Sequence, residues 1–348
     1  MKNKSNIGAD IGGTNIKYGI VSSSGRIMTC GIIPSGKASG KKGVLRNLRK
    51  GIDSLLVSAK QSKLNINSIG IGVPGTVDLP KGKIVGIPPN LPFLADFYLR
   101  KYLKGFYHHP VYIDNDANVM ALAEYKFGAA KGFDNCICIT LGTGIGSGII
   151  LKGKLFRGSS FVGPEFGHTT ICYDGVRCHC GNYGCVEMYA SEPAMIKRAK
   201  ELLKKNSASI LYQLTQDNLN RLKAKDLFLA EKLKDKVSQK VIQETAYYLG
   251  TALSSAVNLI NPEIVVVGGG VALSAGRNFF KMIEKEIKTR AFPSATKNLK
   301  IVKAKLGNNA GFIGASRLGE ELGAKRMSFW GSPNGRLKNL QILRFRSG

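Results

Sequence analysis

No apolar run in the sequence approaches the roughly twenty residues that cross a bilayer. The first ten residues, MKNKSNIGAD, lack the apolar core of an export signal, so a cytoplasmic protein without a membrane span is expected. Acidic residues are scarce. There are 23 Asp and Glu against 51 Lys and Arg, a formal net charge of +28. Such a balance attracts polyanions, yet the lysines are scattered rather than striped and merely denser from Lys197 to Lys240. Charge without a nucleic-acid-binding motif is only a footprint, so no dedicated nucleic-acid site is expected. Cysteine is sparse and odd in number, at seven, which excludes the even framework of a small secreted disulfide domain. Four cysteines lie between Cys172 and Cys185, and Cys136 and Cys138 sit in an apolar run. A metal site in a reducing compartment fits that distribution.

Two familiar phosphate loops are also missing. Neither glycine-rich turn carries the lysine and Ser/Thr of a Walker loop. Neither opens a helix in the manner of a dinucleotide fingerprint, because the chain resumes a strand after each turn.

What is present is ordinary globular composition, 43% hydrophobic and 21% charged, over 348 residues, enough for two domains. Asn6–Asp10 enters a turn at Gly12, Gly13 and Thr14, and Ile16–Val21 leaves it. Ile137–Leu141, Gly142–Gly146 and Ser147–Leu151 repeat the pattern, with Asp10 overlaying Thr140 and Gly12 overlaying Gly142. A duplicated α/β domain is expected. Helices are expected over Glu192–Lys205, Lys225–Lys240 and the apolar-periodic run Val241–Ile260, with a glycine-opened terminal helix over Gly307–Leu322. EIVVVGGGVALS reads as a buried strand breaking into Gly268–Gly270.

Glycines remove the Cβ atoms that block a phosphate, and successive N–H groups make an anion nest. Two such hairpins, Asp10 to hold a hydrated Mg²⁺, and the glycine break at Gly268–Gly270 point to nucleotide binding. Val111–Asp114 reads as a strand feeding a helix at Asp114-Asn115-Asp116, where Asn115 or Asp116 can cap. Capping leaves a carboxylate or amide free to face a cleft and accept a proton from a hydroxyl. His168, Cys178, Cys180 and Cys185, spaced H-x9-C-x-C-x4-C, fill a tetrahedral zinc site with no open position, so the zinc is expected to be structural. His179 is a substitute ligand and Cys172 is spare. Flanking Glu165 and Glu187 would repel phosphate and suit a neutral, hydroxyl-rich ligand.

The motifs D-x-G-G-T at Asp10–Thr14, G-V-P-G at Gly72–Gly75, D-N-D-A-N at Asp114–Asn118, G-T-G-I-G-S-G at Gly142–Gly148, E-F-G-H at Glu165–His168 and C-x-C-G-x-x-G-C-x-E at Cys178–Glu187 occur in this order. Together they resemble the ROK family of bacterial sugar kinases and repressors, to about Leu322. The resemblance implies two RNase H-like α/β domains of the sugar kinase/actin/heat-shock ATPase fold with a cleft between them. It places an N-terminal domain at 1–115, completed by a helix around 311–323. A C-terminal domain follows at 116–310 with a zinc loop at 165–187, and the basic extension 324–348 falls outside the family pattern. It implies that Asp116 is the general base, and that Gly75, Asn90, Asn115, Asp116, Glu165, His168 and Glu187 bind the sugar. Asp10, Gly12, Gly13, Thr14, Asn15 and Lys17, with Gly142, Thr143, Gly144 and Gly146, would hold Mg²⁺ and the ATP phosphates, with Gly269 and Gly270 near the adenosine. Asp10 lies so early that no helix-turn-helix is expected before it. The implied activity is ATP-dependent hexose phosphorylation, glucose to glucose 6-phosphate. N-acetylglucosamine or N-acetylmannosamine kinase is the alternative, and a sugar-sensing nucleic-acid-binding regulator is the alternative of another class. A homodimer or tetramer is implied as well.

Overall fold

Apolar side chains with a period of two line one face of the first strands, and the helix that follows matches them with a period of 3.6. Ile7, Ala9, Ile11, Ile16 and Ile20 pack against Val44, Leu48, Ile52 and Leu55 of the helix Gly40–Gln61. The structure, a computed structural model, describes residues 4–88 and 90–323. Its strands are β1 (Lys4–Ile11), β2 (Asn15–Ser22), β3 (Ile27–Pro34), β4 (Asn65–Val73), the small hairpin β5 (Thr76–Asp78) and β6 (Lys83–Val85), and β7 (Val111–Asn115). They continue with β8 (Cys136–Leu141), β9 (Ile145–Leu151), β10 (Lys154–Phe156), β11 (Ile264–Gly268) and β12 (Lys300–Lys303). Among the described residues, no helix is long and apolar enough to cross a membrane.

The two five-stranded sheets have one topology. The first runs β3-β2-β1-β4-β7 and the second β10-β9-β8-β11-β12. In each, an antiparallel hairpin is followed by two parallel strands. The register supports the overlay of Asp10 on Thr140. Asp10 lies opposite Lys17 and Gly72, and Thr140 lies opposite Gly146 and Gly268. This is the two-domain α/β architecture expected from the duplicated pattern.

Two helices join the sheets. Asp116–Phe127 sits on β9, where Cβ atoms on Gly146 and Gly148 would collide with Ala117 and Ala121. Ala310–Ala315 is wedged between that helix and the first sheet. Cβ atoms on Gly8, Gly70 and Gly314 would overlap the carbonyl oxygens of Phe312, Ala315 and Val119 in turn. Backbones can touch this closely only where no side chain intervenes. Cys136 and Cys138 face the same layer beside Met120 and Ala121 as core residues.

Glu124 pins this layer. Its fully buried carboxylate accepts hydrogen bonds from Ala129 N–H (2.7 Å), Lys305 N–H (3.1 Å) and Leu306 N–H (2.8 Å). Bonds from N–H donors to a charged acceptor are individually strong, and orphaned buried donors are costly. Glu124→Ala should therefore destabilise the protein by about 3 kcal/mol or more, read by urea unfolding. A change below about 1 kcal/mol would mean that water replaces the carboxylate.

Two expected elements differ in the structure. The helix expected over Lys225–Lys240 is two helices, Ala224–Lys232 and Lys236–Ile260. Lys234 takes φ 63° between them, and Asp235 caps the second helix by accepting from Ser238 N–H at 2.8 Å. The terminal helix is split into Ala310–Ala315 and Leu318–Gly323 around the fully buried Arg317, which donates to the Val21 carbonyl at 3.1 Å. The buried strand expected to break at Gly268–Gly270 is β11, and the short helix Gly269–Ser274 follows it directly. The basic extension 324–348 lies outside the described residues.

Candidate active site

The Asp-Asn-Asp segment divides three jobs among three side chains. Asn115 caps the helix Asp116–Phe127, its amide oxygen accepting from Ala117 N–H (2.9 Å) and Asn118 N–H (3.1 Å). Its Nδ2 donates to the carbonyl of Gly75, a turn residue at φ 83°. Asp114 turns into the protein. Its Oδ2 accepts from Arg157 Nε (2.9 Å) and forms an ion pair with Nη2 (2.8 Å), and its Oδ1 accepts from Asn118 Nδ2 (3.1 Å). That leaves the carboxylate of Asp116 at the cleft, where it accepts from Ala117 N–H at 2.8 Å. Arg157, which also approaches Glu321 at 3.6 Å, is a buried site neighbour that the sequence motifs did not reveal.

Asp10 faces Asp116. It stands at the end of β1 over Gly72 and against Gly311, where a Cβ would overlap its carboxylate. Burial raises Asp10 to about 7, the charge of Asp116 adds to the rise, and Lys17 opposes it. Burial also raises Asp116 to about 6, opposed by the N–H of Ala117. Solvent still reaches Asp116 from the cleft, which tempers its shift. Asp10, whose charge is disfavoured by burial and by the neighbouring carboxylate of Asp116, suits a cation beside it.

The two glycine hairpins flank this pair. In the first, Gly12 N–H donates to Asn15 O at 3.0 Å, and Ser35 fastens the turn through Gly13 O (3.0 Å) and Thr14 O (2.7 Å). Asn90, at φ 63°, sits directly over Gly13. Lys17 Nζ donates to Asn308 O at 3.1 Å. In the second, Gly142 N–H donates to Gly144 O at 3.0 Å and Gly146 N–H to Thr140 Oγ1 at 3.1 Å, leaving Thr143 exposed at the tip. Gly269, at φ 88°, packs on the backbone of Leu141, and Gly270 adjoins Gly142.

Glu187 ties the second hairpin to the cysteine loop. Its Oε2 accepts from Ile145 N–H at 2.7 Å, and its Oε1 lies 3.4 Å from His179 Nε2. Glu165 leads into the turn Phe166–His168, which Ser147 Oγ holds through Pro164 O (3.1 Å) and Phe166 N–H (3.2 Å). Burial raises Glu165, His168 lowers it, and Asp116 and Glu187 raise it further. Asp116, Glu165, His168 and Glu187 thus share one electrostatic field, although 71 residues of sequence separate the first from the last.

The cysteine loop meets the dimensions of a tetrahedral metal site. Cys178 Sγ lies 3.7 Å from His168 Nδ1, and Cys180 Sγ lies 3.7 Å from Cys185 Sγ. All four candidate ligand atoms fall within 4.8 Å of one another. Zinc–sulfur bonds of about 2.3 Å at tetrahedral angles put sulfurs about 3.8 Å apart. With Nδ1 turned to Cys178, the Nε2 of His168 is left outside this cluster. Burial pushes the Cys185 thiol up to about 12 with Cys180 and Cys178 adding, so without a cation it stays protonated. Cys172 is spare, 3.3 Å from Asp174. His179 is exposed and turned toward Glu187.

Comparison with known proteins fits this geometry. Residues 6–321 match the model of the ROK family. A glucokinase of Halalkalibacterium halodurans is 35% identical over 91% of this chain and 96% of its own. The xylose repressor of Bacillus subtilis is 32% identical over 77% of this chain and 64% of its own. A ROK glucokinase of Streptomyces griseus, solved with glucose and AMPPNP, superposes with a TM-score of 0.79 at 32% identity, over 90% of this chain and 98% of its own. The chain belongs to the ROK family.

Proposed function

We propose that this chain is an ATP-dependent hexose kinase acting on the 6-hydroxyl of glucose. The observation that carries the reading is the carboxylate of Asp116, which enters no ion pair among the described residues and acts electrostatically on Glu165 and on Asp10. The similarity to glucokinases supports it.

In this reading Glu165, Glu187 and His168 Nε2 hydrogen-bond sugar hydroxyls, with the remaining N–H of Asn115, Gly75 and Asn90 on the opposite wall. Asp116 accepts the proton of the 6-hydroxyl as its oxygen forms a bond to the γ-phosphorus and the bond to the β-phosphate oxygen breaks, releasing ADP. Gly12, Gly13, Thr14 and Asn15, with Gly142, Thr143, Gly144 and Gly146, offer N–H groups and open backbone to the phosphates. Lys17 adds a charge, and Gly269 and Gly270 leave room for the adenosine. Mg²⁺ bound with the nucleotide would neutralise phosphate charge, and Asp10 is the group placed to hold its water shell. His168, Cys178, Cys180 and Cys185 would hold a structural zinc that fixes the loop 165–187 and does no chemistry itself. Domain limits at 1–115 with 311–323, and at 116–310, a cytoplasmic location and a homodimer or homotetramer go with this reading.

A second reading rests on the similarity to a xylose repressor and on the +28 charge: a sugar-responsive, nucleic-acid-binding regulator. Steady-state assay of glucose, mannose, N-acetylglucosamine and N-acetylmannosamine with ATP separates the readings. We expect kcat/KM for glucose to exceed that for either N-acetylhexosamine by about tenfold or more, since an N-acetyl group must be sterically accommodated at the second carbon. Preference for an N-acetylhexosamine would move the substrate, and turnover of none would remove the kinase.

A further inference from the structure

A groove on the first lobe shares no residue with the cleft. It has a volume of about 520 Å³ and lies between the helix Gly40–Gln61 and the short helix Leu99–Lys104. Its walls carry Lys42, Arg46, Arg49 and Lys50, with Asp53 and Tyr102. The cations recur at helical spacing on one face, so Lys42 with Arg46 and Arg46 with Lys50 are like charges four residues apart, which weakens a helix. They also occupy its N-terminal half, where the helix dipole disfavours positive charge, and no acid stands in the first turn.

A lysine-rich composition alone does not account for this. In the helix Arg277–Arg290, Lys288 and Arg290 pair with Glu284 and Glu286 four residues away. Among the described residues, no carboxylate pairs with Lys42, Arg46 or Lys50. Asp53 is the one acid of the helix, and it accepts from the Tyr107 hydroxyl at 2.7 Å. Arg49 is held in place, its guanidinium carbon 3.5 Å from the centroid of the Phe106 ring, which tilts against Tyr102 at 5.1 Å. A fixed guanidinium beside adjustable ammonium groups is the arrangement that recognises phosphate oxygens.

We propose that this groove binds a small solute bearing two or three linked phosphates. Its volume falls in the range of small-molecule sites. Single-stranded nucleic acid is disfavoured because successive bases need a row of free aromatic faces, and the walls carry one aromatic, Tyr102, packed against Phe97 and Phe106.

The test is calorimetric titration of the full chain, with sodium tripolyphosphate and ATP in separate arms. Wild type should show two tripolyphosphate events per chain, one in the cleft and one in the groove. The triple variant Lys42→Gln, Arg46→Gln, Lys50→Gln should weaken one event by at least tenfold while keeping sugar turnover and the KM for ATP. Arg46→Gln alone should weaken it less. The control Lys197→Gln, Lys204→Gln, Lys205→Gln, all at exposed positions, should leave both events in place. Loss in the tripolyphosphate arm alone assigns the groove to inorganic chains, and loss in both arms assigns it to the triphosphate group. A single event in wild type, equal loss in the control, or displacement by a single-stranded oligonucleotide at lower concentration than ATP would overturn the proposal. Absence of sugar turnover would leave the groove event untouched, so failure of the kinase reading is recognised separately.

Discussion

Asp116→Asn should lower kcat for glucose by about 10²–10⁴ while KM moves less than about threefold, because general-base catalysis contributes at that scale and the amide keeps the shape of the site. The hydrogen bond from Ala117 N–H can still be accepted by an Asn oxygen, so the helix start survives. Wild-type kcat should fall as pH drops through about 6, where Asp116 takes up a proton, and this limb should vanish in the residual activity of the variant. Stability should move the opposite way. Asp116 is raised in the folded protein from 3.8 to about 6, so between those values the folded state binds the proton more tightly than the unfolded chain. Stability that the protonated group contributes is present below the unfolded value and lost as pH rises through the folded one. At pH 8 the ionised carboxylate therefore opposes folding, and Asp116→Asn should hold or slightly raise Tm there. A kcat within tenfold of wild type would remove Asp116 from the proton transfer. A large fall in Tm at pH 8 would mean that the side chain is structural.

The second large effect concerns the cysteine loop. Cys185→Ala, at a fully buried position, should reduce bound zinc from about one per chain to near none by elemental analysis. Because a structural zinc contributes its binding energy to folding, Tm should drop by about 10 °C or more. The KM for glucose should rise more than kcat falls. His168 would lose its anchor and the loop leading to Glu187 would loosen, whereas Asp116 sits on a helix outside the loop. Cys172→Ala should leave all three measurements unchanged. Chelation that strips metal from wild type without shifting Tm or KM would show that the loop holds its shape unaided.

Some of this was legible in the sequence because the information is local. A glycine hairpin, a capped helix start and a close run of cysteines each leave their mark in consecutive letters, so both sheets' first turns and the Asp116 region could be located. The break at Lys234–Asp235 was masked by residues that favour helix on both sides, although Asp235 ahead of an apolar-periodic run is itself a start signal. Longer-range features leave no such mark. Glu124 sits in the plain helical stretch ALAEYKF, and only the fold brings Lys305 and Leu306 to it from 181 and 182 residues away. Arg157 is one of many cations, and its role comes from meeting Asp114 across 43 residues. The resemblance singled out Asp116 as the base, but the residues themselves left the cap open between Asn115 and Asp116 and did not show that Asp114 would be buried. That allocation follows from the bend between β7 and the helix.

The wedge formed by Ala310–Ala315 bears on how the chain is made. The first sheet is complete in sequence by Asn115, but the segment that covers Gly8 and Gly70 is translated roughly 200 residues later. At ribosomal speeds of about 5–20 residues per second, the nascent first lobe waits on the order of 10–40 s with that face bare. A polypeptide ended before residue 310 therefore has the strands of both sheets but lacks the segment that covers Gly8 and Gly70.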